Sequence, residues 1–551
     1  MPNSGPAAPS RSKAVLYRNG SVYTAADPFA TAMLVDGDTV AWVGSEQAAS
    51  SIADSSMDVI DLRGALVAPG FVDSHAHLTE TGLALESLQL AGVGSARELL
   101  DAVARAGGDG PVLGHGWDET TWADQALPSA EELDRAAAGR PVYLSRVDVH
   151  SALVSTSLAR TAELSSRDGF DGGARVTRAA HTAARQATRR LPQEDLRRHQ
   201  QRALSEAAAN GYVAVAEMGA PHIGGAEDLR IAGAWNNPAP GSAPVPEVLP
   251  YWGELATSEE HARSLVEQFG LGLRGLAGDL NIDGSVGSRT AALRSGYTDA
   301  PDERGTLYLS VEQAAAHLAA CSLSGIQGGF HIIGDAGLDA ALSALDLAAQ
   351  QVGEQRVRAA GHRFEHVEML DRPAVERLAR YSVTVSAQPA FDAEWGGSGG
   401  LYEQRLGERS AGMNPFATLF AAGVPVCFGS DSPVTPLRPW SSVRACLEHH
   451  NQDERISARA AFLGHTRAGW RAARYSNPMA GQLVPGAPAS FAVWEVEELM
   501  VQVADGRVQS WSTDPRARTP LLPALDTGND PVCLQTVRAG VELFTSPALR
   551  S

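Results

Sequence analysis

From residue 68 to residue 481 the chain alternates short apolar segments ending in Gly, His or Asp with longer Ala/Leu/Arg/Glu-rich segments. That rhythm confines it to architectures with a parallel sheet covered by helices. Eight apolar segments can be placed as strands, at 67–72, 141–147, 212–217, 278–283, 325–332, 362–367, 382–387 and 424–428. Eight is the number at which a parallel sheet closes on itself, so an α/β fold built on a TIM-like (β/α)8 barrel is expected. The first crossover is long enough to carry an insertion at about 83–140, and the proline-rich run 238–250 reads as a loop.

The two ends of the chain have a different texture. Residues 14–67 and 482–545 show short alternating stretches broken by Asn19-Gly20, Asp36-Gly37 and Asp505-Gly506, the punctuation of antiparallel hairpins, with strands expected at 489–495, 499–503, 507–511 and 534–537. They are expected to form one composite β-sandwich, preceded by a disordered tail over 1–13.

Charge and rare residues exclude several function classes. With 45 Lys and Arg against 64 Asp and Glu, the net charge of −19 repels phosphate backbones, so no nucleic acid partner is expected. No stretch of eighteen apolar residues occurs, so no membrane span is expected. Cys321, Cys427, Cys446 and Cys533 are widely spaced, which suits free thiols in a reducing compartment, the cytoplasm. Lys13 is the only lysine, so Schiff-base chemistry, a P-loop and a carbamylated lysine bridge are excluded.

The sharpest motif is Pro69-Gly70-Phe71-Val72-Asp73-Ser74-His75-Ala76-His77. Residues two apart on a strand share a face, so His75 and His77 can offer both imidazoles to one ion. His331 closes Gly329-Phe330-His331, His366 closes Arg363-Phe364-Glu365-His366, and Asp431 follows Val426-Cys427-Phe428-Gly429-Ser430. All five fall where barrel strands deliver side chains to the catalytic end. Glu365, by alternation with His366, is expected to face outward and pair with an arginine; His115, His222, His449 and His450 read as surface or structural.

These motifs resemble the metal-dependent amidohydrolase superfamily, and within it the amidohydrolase-3, YtcJ-like branch that includes N-substituted formamide deformylase. The likeness extends through residues 142–150, Asp283-Gly284-Ser285-Val286-Gly287-Ser288-Arg289-Thr290, His331-Ile332-Ile333-Gly334-Asp335, Phe428-Gly429-Ser430-Asp431-Ser432-Pro433-Val434 and Pro485-Gly486-Ala487-Pro488-Ala489. It implies metal ligation by His75, His77, His331, His366 and Asp431. Where many relatives carry a lysine, this chain has Asp279; a carboxylate can bridge two divalent ions, so Asp279 is the first choice for a bridge, Asp283 the second and Glu217 the third. Val149 and Ser155 stand where relatives tend to have Gly and Asn, so His150 and its loop are expected to contact substrate differently from those relatives.

Neutral imidazoles with carboxylates suit one or two divalent ions, zinc first, with iron or manganese as alternatives. The implied activity is hydrolysis of a C–N bond by a metal-activated water, with Asp431 as general base and acid and an unligated histidine, His331, helping to hold the oxyanion. A deaminase or cyclic amidohydrolase, or a non-catalytic binding protein on the same scaffold, is the other reading. The expected partner is a small-molecule amide, bound by a single chain or a homodimer. Trp117, Trp122, Tyr297, Phe391, Trp395 and Trp440 are candidate pocket walls, and Arg289, Asp283 and Asp118 candidate polar contacts.

Overall fold

Eight strands pair in sequence order as one parallel sheet: β1 (Phe71–Ala76), β2 (Tyr212–Gly219), β3 (Glu247–Trp252), β4 (Gly275–Leu276), β5 (Gln327–Ile332), β6 (Arg363–His366), β7 (Thr384–Ala387) and β8 (Val426–Phe428). This computed structural model describes residues 13–270, 272–502, 511–512, 520–526 and 528–550. The tail expected over 1–13, apart from Lys13, and most of the strand expected at 507–511 lie outside them.

The sheet curls until β1 meets the segment after β8. Asp431 N–H donates to the His75 carbonyl at 2.7 Å and His77 N–H to the Ser432 carbonyl at 2.9 Å. Just below, one Asp73 oxygen accepts the N–H groups of His75 (3.1 Å) and Ser430 (3.0 Å). Gly429 makes this approach possible, since a Cβ there would lie 2.5 Å from the His75 nitrogen. The β1 and β8 ends are thereby held edge to edge at the catalytic end of the barrel.

Membership of the barrel differs from expectation at two strands. Val142–Arg146, expected as the second barrel strand, is the middle of a separate five-stranded sheet with Leu88–Gln89, Val112–Trp117, Ser151–Val154 and Arg175–Thr177. The inserted layer therefore runs well past residue 140, to the helix Arg178–Thr188. An apolar strand buried on both faces reads alike in either sheet, which is why the pattern misplaced it. The true third strand, Glu247–Trp252, begins inside the stretch read as a loop because of its prolines. Pro250 accepts from Arg274 N–H at 2.8 Å. N–H and C=O of one strand residue point to the same side, so the missing donor faces β4, where pairing is confined to Tyr251 and Gly275.

The segment 278–283 is likewise not a regular strand. Gly278 has φ +84°, and beyond it Asn281 forms an isolated bridge with His331. At the barrel's other end, Gly70 separates β1 from Leu66–Pro69, which pairs antiparallel with Phe491–Glu495. The latter pairs with Val532–Arg538, so N- and C-terminal segments share a sheet. Val15–Arg18, Ala32–Asp36, Thr39–Gly44 and Asp58–Asp61 form the four-stranded sheet that accompanies it, and Tyr17, Met33, Val67 and Phe491 fill a common core.

Barrel and terminal sheet are joined by an aromatic cluster around Phe71, whose ring centroid lies 5.1 Å from Trp440, 5.4 Å from Phe462 and 5.7 Å from Trp494. Phe71 is fully buried. Phe71→Ala should lower the unfolding free energy by about 3–5 kcal/mol, read from urea denaturation, while Phe71→Leu costs distinctly less.

Candidate metal centre and active site

Four histidines and two aspartates converge at the catalytic end of the barrel. His75 and His77 alternate off the end of β1, and both reach Asp431: His75 Nε2 lies 3.4 Å and His77 Nε2 3.3 Å from Asp431 Oδ1. Asp279, swung inward after Gly278, places Oδ2 3.1 Å from His77 Nε2 and Oδ1 3.5 Å from His75 Nε2. His366 packs against His75 at 5.1 Å between ring centroids and against His331 at 4.4 Å. Ligand atoms of His75, His77 and Asp431 lie within 4.8 Å of one another, as do those of His75, Asp279 and His366.

The backbone is bent to achieve this. His366 (φ +69°), Val367 (+52°) and Asp431 (+54°) all occupy the left-handed region, which costs a non-glycine residue and persists where the surroundings enforce it. The turn at His366 also explains Glu365. Instead of facing outward, Glu365 is fully buried inside the barrel, where its Oε2 accepts the His75 Nδ1 proton at 2.8 Å. Arg363 grips the same carboxylate through Nε at 2.5 Å and Nη2 at 2.9 Å. Alternation holds for Arg363 and Glu365, and the left-handed turn then swings His366 to the same end.

With Nδ1 of His75 committed to Glu365, and Nδ1 of His366 donating to Gln388 Oε1 at 2.8 Å, each ring aims Nε2 at the cluster. Those two Nε2 atoms, Asp279 Oδ1, His77 Nδ1 and His331 Nδ1 are buried with no hydrogen-bond partner among the described residues. Buried polar atoms are almost always satisfied. A divalent cation would satisfy several of these lone pairs together, so the donor set fits a metal. The electrostatics agree. Burial pulls the His75 and His77 imidazoles down, but Asp279 and Asp431 outweigh it, taking His75 well above its ordinary range and His77 to about 10. Burial drives His331 and His366 the other way, helped for His331 by the neighbouring imidazoles. The carboxylates demand positive charge at a place closed to water.

Two spaces flank the cluster. On one side is a tight recess of about 20 Å³ bounded by Val286, Phe391, Trp395, Leu401 and Val434, with His331, His366 and Asp431 at its floor. On the other is a polar cavity of about 460 Å³ that reaches His77 and Asp279 and is walled by the inserted helix Arg178–Thr188. His150 lines both, 5.1 Å from the His331 ring. His222, read from sequence as surface or structural, lines the polar cavity. Gln388, Glu368 and Tyr402 were not foreseen; Tyr402 donates to Glu368 at 2.7 Å at the edge of the recess. Gln388 follows β7 directly, and that position was the available signal.

Other candidates have different work. Trp117 is fully buried in the inserted layer, with its indole N–H on the Leu144 carbonyl at 2.8 Å, and Trp122 packs beside it. Trp440 belongs to the Phe71 cluster, and Tyr297 donates to the Ala291 carbonyl at 2.8 Å. Arg289 is paired with Asp299 at 2.6 Å, and Asp118 with Arg146 at 2.7 Å. Asp283 accepts the N–H groups of Ala292, Ile333 and Gly334 at 2.8, 2.9 and 2.8 Å and so anchors two loops instead of meeting substrate or metal. Glu217 accepts Leu78 N–H at 2.6 Å, capping the helix after His77. His449 and His450 crowd Asp392, but their ring nitrogens already contact the carbonyls of Asn414, Asn451 and Ser410, which marks them as structural.

Comparison with known proteins matches this arrangement. Residues 58–544 fit the Amidohydro_3 profile, described as Amidohydrolase family. Among curated proteins, the chain is 26% identical to Protein LONG AFTER FAR-RED 3 of Arabidopsis thaliana over 87% of its length and 86% of the relative's. It is 24% identical to the putative amidohydrolase YtcJ of Bacillus subtilis, covering 87% and 93%, and 22% identical to the N-substituted formamide deformylase of Arthrobacter pascens, covering 78% and 83%. An uncharacterized metal-dependent hydrolase from Pyrococcus furiosus superposes with TM-score 0.66 at 26% identity, covering 87% of this chain and 98% of that one. On sequence and fold together, the chain belongs to the amidohydrolase family, in its Amidohydro_3 branch.

Proposed function

We propose that the protein is a metal-dependent hydrolase that cleaves the C–N bond of an N-acyl or N-formyl amine. The observation that carries this reading is the set of buried, unpartnered imidazole and carboxylate atoms gathered between an apolar recess and a polar cavity. His75, His77, His366 and Asp279 would hold the ion, with His331 and Asp431 beside them. A divalent cation there supplies Lewis acidity, polarising a carbonyl and acidifying a water.

The remaining work falls to side chains. Asp431, which touches both His75 and His77 and opens onto the recess, takes a proton from the attacking water as its oxygen bonds to the acyl carbon. It returns that proton to the nitrogen as the C–N bond breaks, so a carboxylic acid (formic acid for a formamide) and an amine leave. His331 and His150, adjacent and buried, face the acyl oxygen as neutral donors, since burial lowers both. Phe391 and Trp395, 4.6 Å apart between centroids, exclude water from the recess and hold an apolar substituent.

Metal analysis after purification should find a divalent ion, zinc foremost, and amide hydrolysis should vanish with a chelator and return on zinc addition. A preparation that hydrolyses formamides and amides at full rate without metal refutes the proposal. A panel of N-substituted formamides, linear amides and cyclic amides should show turnover of the first two groups; preference for the cyclic members would favour the cyclic amidohydrolase reading. Asp431→Asn is expected to lower kcat by about 10²–10⁴-fold, the usual worth of a positioned general base. Gln388→Leu, which removes the partner orienting His366, should weaken metal affinity by about 10–100-fold, measured by competition with a chelating dye.

A further inference from the structure

The polar cavity contains a buried cation whose fork is only partly engaged. Arg185, on the inserted helix Arg178–Thr188, is only 6% exposed and lines the cavity wall. Its Nη2 donates to the Val149 carbonyl at 3.0 Å, and the Tyr143 side chain and the Glu80 charge also favour its charged form, but among the described residues its Nε has no hydrogen-bond partner and it forms no direct ion pair with an acid. The acids that share the cavity are engaged elsewhere. Glu80 has both oxygens on Arg189, at 2.8 and 2.9 Å. Asp168 sits at the rim, 3.4 Å from Arg178, and Asp279 is turned to the imidazoles. Burial, with the Arg185 charge adding to it, holds His181 well below its ordinary range, so the helix adds no further buried charge there.

A guanidinium does not lose its proton in a protein, and a buried charge with donors left unused is costly. An arginine fork is also the side chain best shaped to take a carboxylate. We propose that Arg185 is the specificity residue of this active site and that the substrate is an amide bearing a carboxylate. The carboxylate enters the polar cavity against Arg185, while the substituent on the other side of the scissile bond faces the mouth of the recess that Phe391 and Trp395 wall. One carboxylate balances one guanidinium, whereas a phosphate dianion would overshoot in a cavity that already holds Glu80 and Asp279. This proposal rests on the amide-hydrolase reading, but its test is a binding measurement that needs no turnover.

The probes are hippurate, an aromatic amide carrying a carboxylate, and hippuramide, its neutral counterpart. Binding of each to the chelator-treated full-length protein, by isothermal titration calorimetry, should favour hippurate by tenfold or more. Arg185→Met should remove that preference, weakening hippurate at least tenfold and changing hippuramide by less than about threefold; Arg185→Lys should keep part of it, because the charge remains while the fork is lost. Thermal unfolding of each variant checks folding, and if Arg185→Met does not fold, the Arg185→Lys comparison decides. Equal binding of the two probes to the parent protein, an unchanged preference in the variants, or inorganic phosphate binding more tightly than hippurate would overturn the assignment. An absence of amide hydrolysis alongside an intact, Arg185-dependent hippurate preference would instead count against the hydrolase reading and leave the anion site standing.

Discussion

The ion pair between Arg363 and Glu365, sealed inside the barrel, sets the geometry on which the site depends. Neither side chain is more than 1% exposed. Taking both charges out of water is expensive and is offset only where geometry and further hydrogen bonds are good. Here Arg363 also bonds Ser386 Oγ at 2.9 Å and the Ser74 carbonyl, and stacks over Tyr251 at 4.9 Å, linking β1, β3, β6 and β7. Its main consequence is at the far carboxylate oxygen. Glu365 accepts the Nδ1 proton of His75, so Nε2 is the ring atom turned towards Asp279 and Asp431. Without that fixed tautomer, the His-x-His pair would be two imidazoles of arbitrary orientation.

Around this anchor the cluster is assembled from strand ends that are themselves constrained. Asp73 ties the backbones of His75 and Ser430, and the His75 carbonyl in turn holds Asp431 N–H, so the first and last strands set each other's position. The left-handed turns at His366 and Asp431 re-aim side chains that an ordinary strand would have sent elsewhere. Local strain of this kind survives only where surrounding bonds over-determine it, and both residues lie in such surroundings.

How much of this was legible in sequence follows from what each inference needs. His75, His77, His331, His366 and Asp431 could be chosen because a barrel gathers its strand ends at one place, whichever strands they are, whereas Asp279 came from the resemblance, as the residue standing where many relatives carry a lysine. Which strands belong to the barrel was less legible. The run at 141–147 and the true β3 differ in partner, not in local pattern, and Pro250 concealed the latter. Glu365, which acts through space on His75, has no mark along the chain, and Gln388 is marked only by its place directly after β7. The aromatic candidates divided by layer: Phe391 and Trp395 follow β7 and reach the recess, whereas Trp117 and Trp122 belong to the core of an insertion whose extent the sequence pattern understated.

That insertion separates two tasks that a single barrel would have to combine. The barrel supplies the clustered imidazoles and carboxylates, while the inserted layer supplies His150, Arg178, His181 and Arg185 to the space beside them. The motif over 142–150 serves first as a clamp. Arg146 is held by Asp118 and Glu119, and Asp148 accepts Ser285 and Ser288 at 2.7 Å each, fixing the insertion to the loop after β4. Val149 then turns through φ +49°, a conformation uncommon for a β-branched residue, and its carbonyl meets Arg185. The clamp therefore transmits the position of the barrel loops to the arginine helix, so the distance between the imidazole cluster and Arg185 is set by buried contacts and not by a free loop. Change in the inserted helix can reshape the cavity while the imidazole and carboxylate atoms at the strand ends stay where they are.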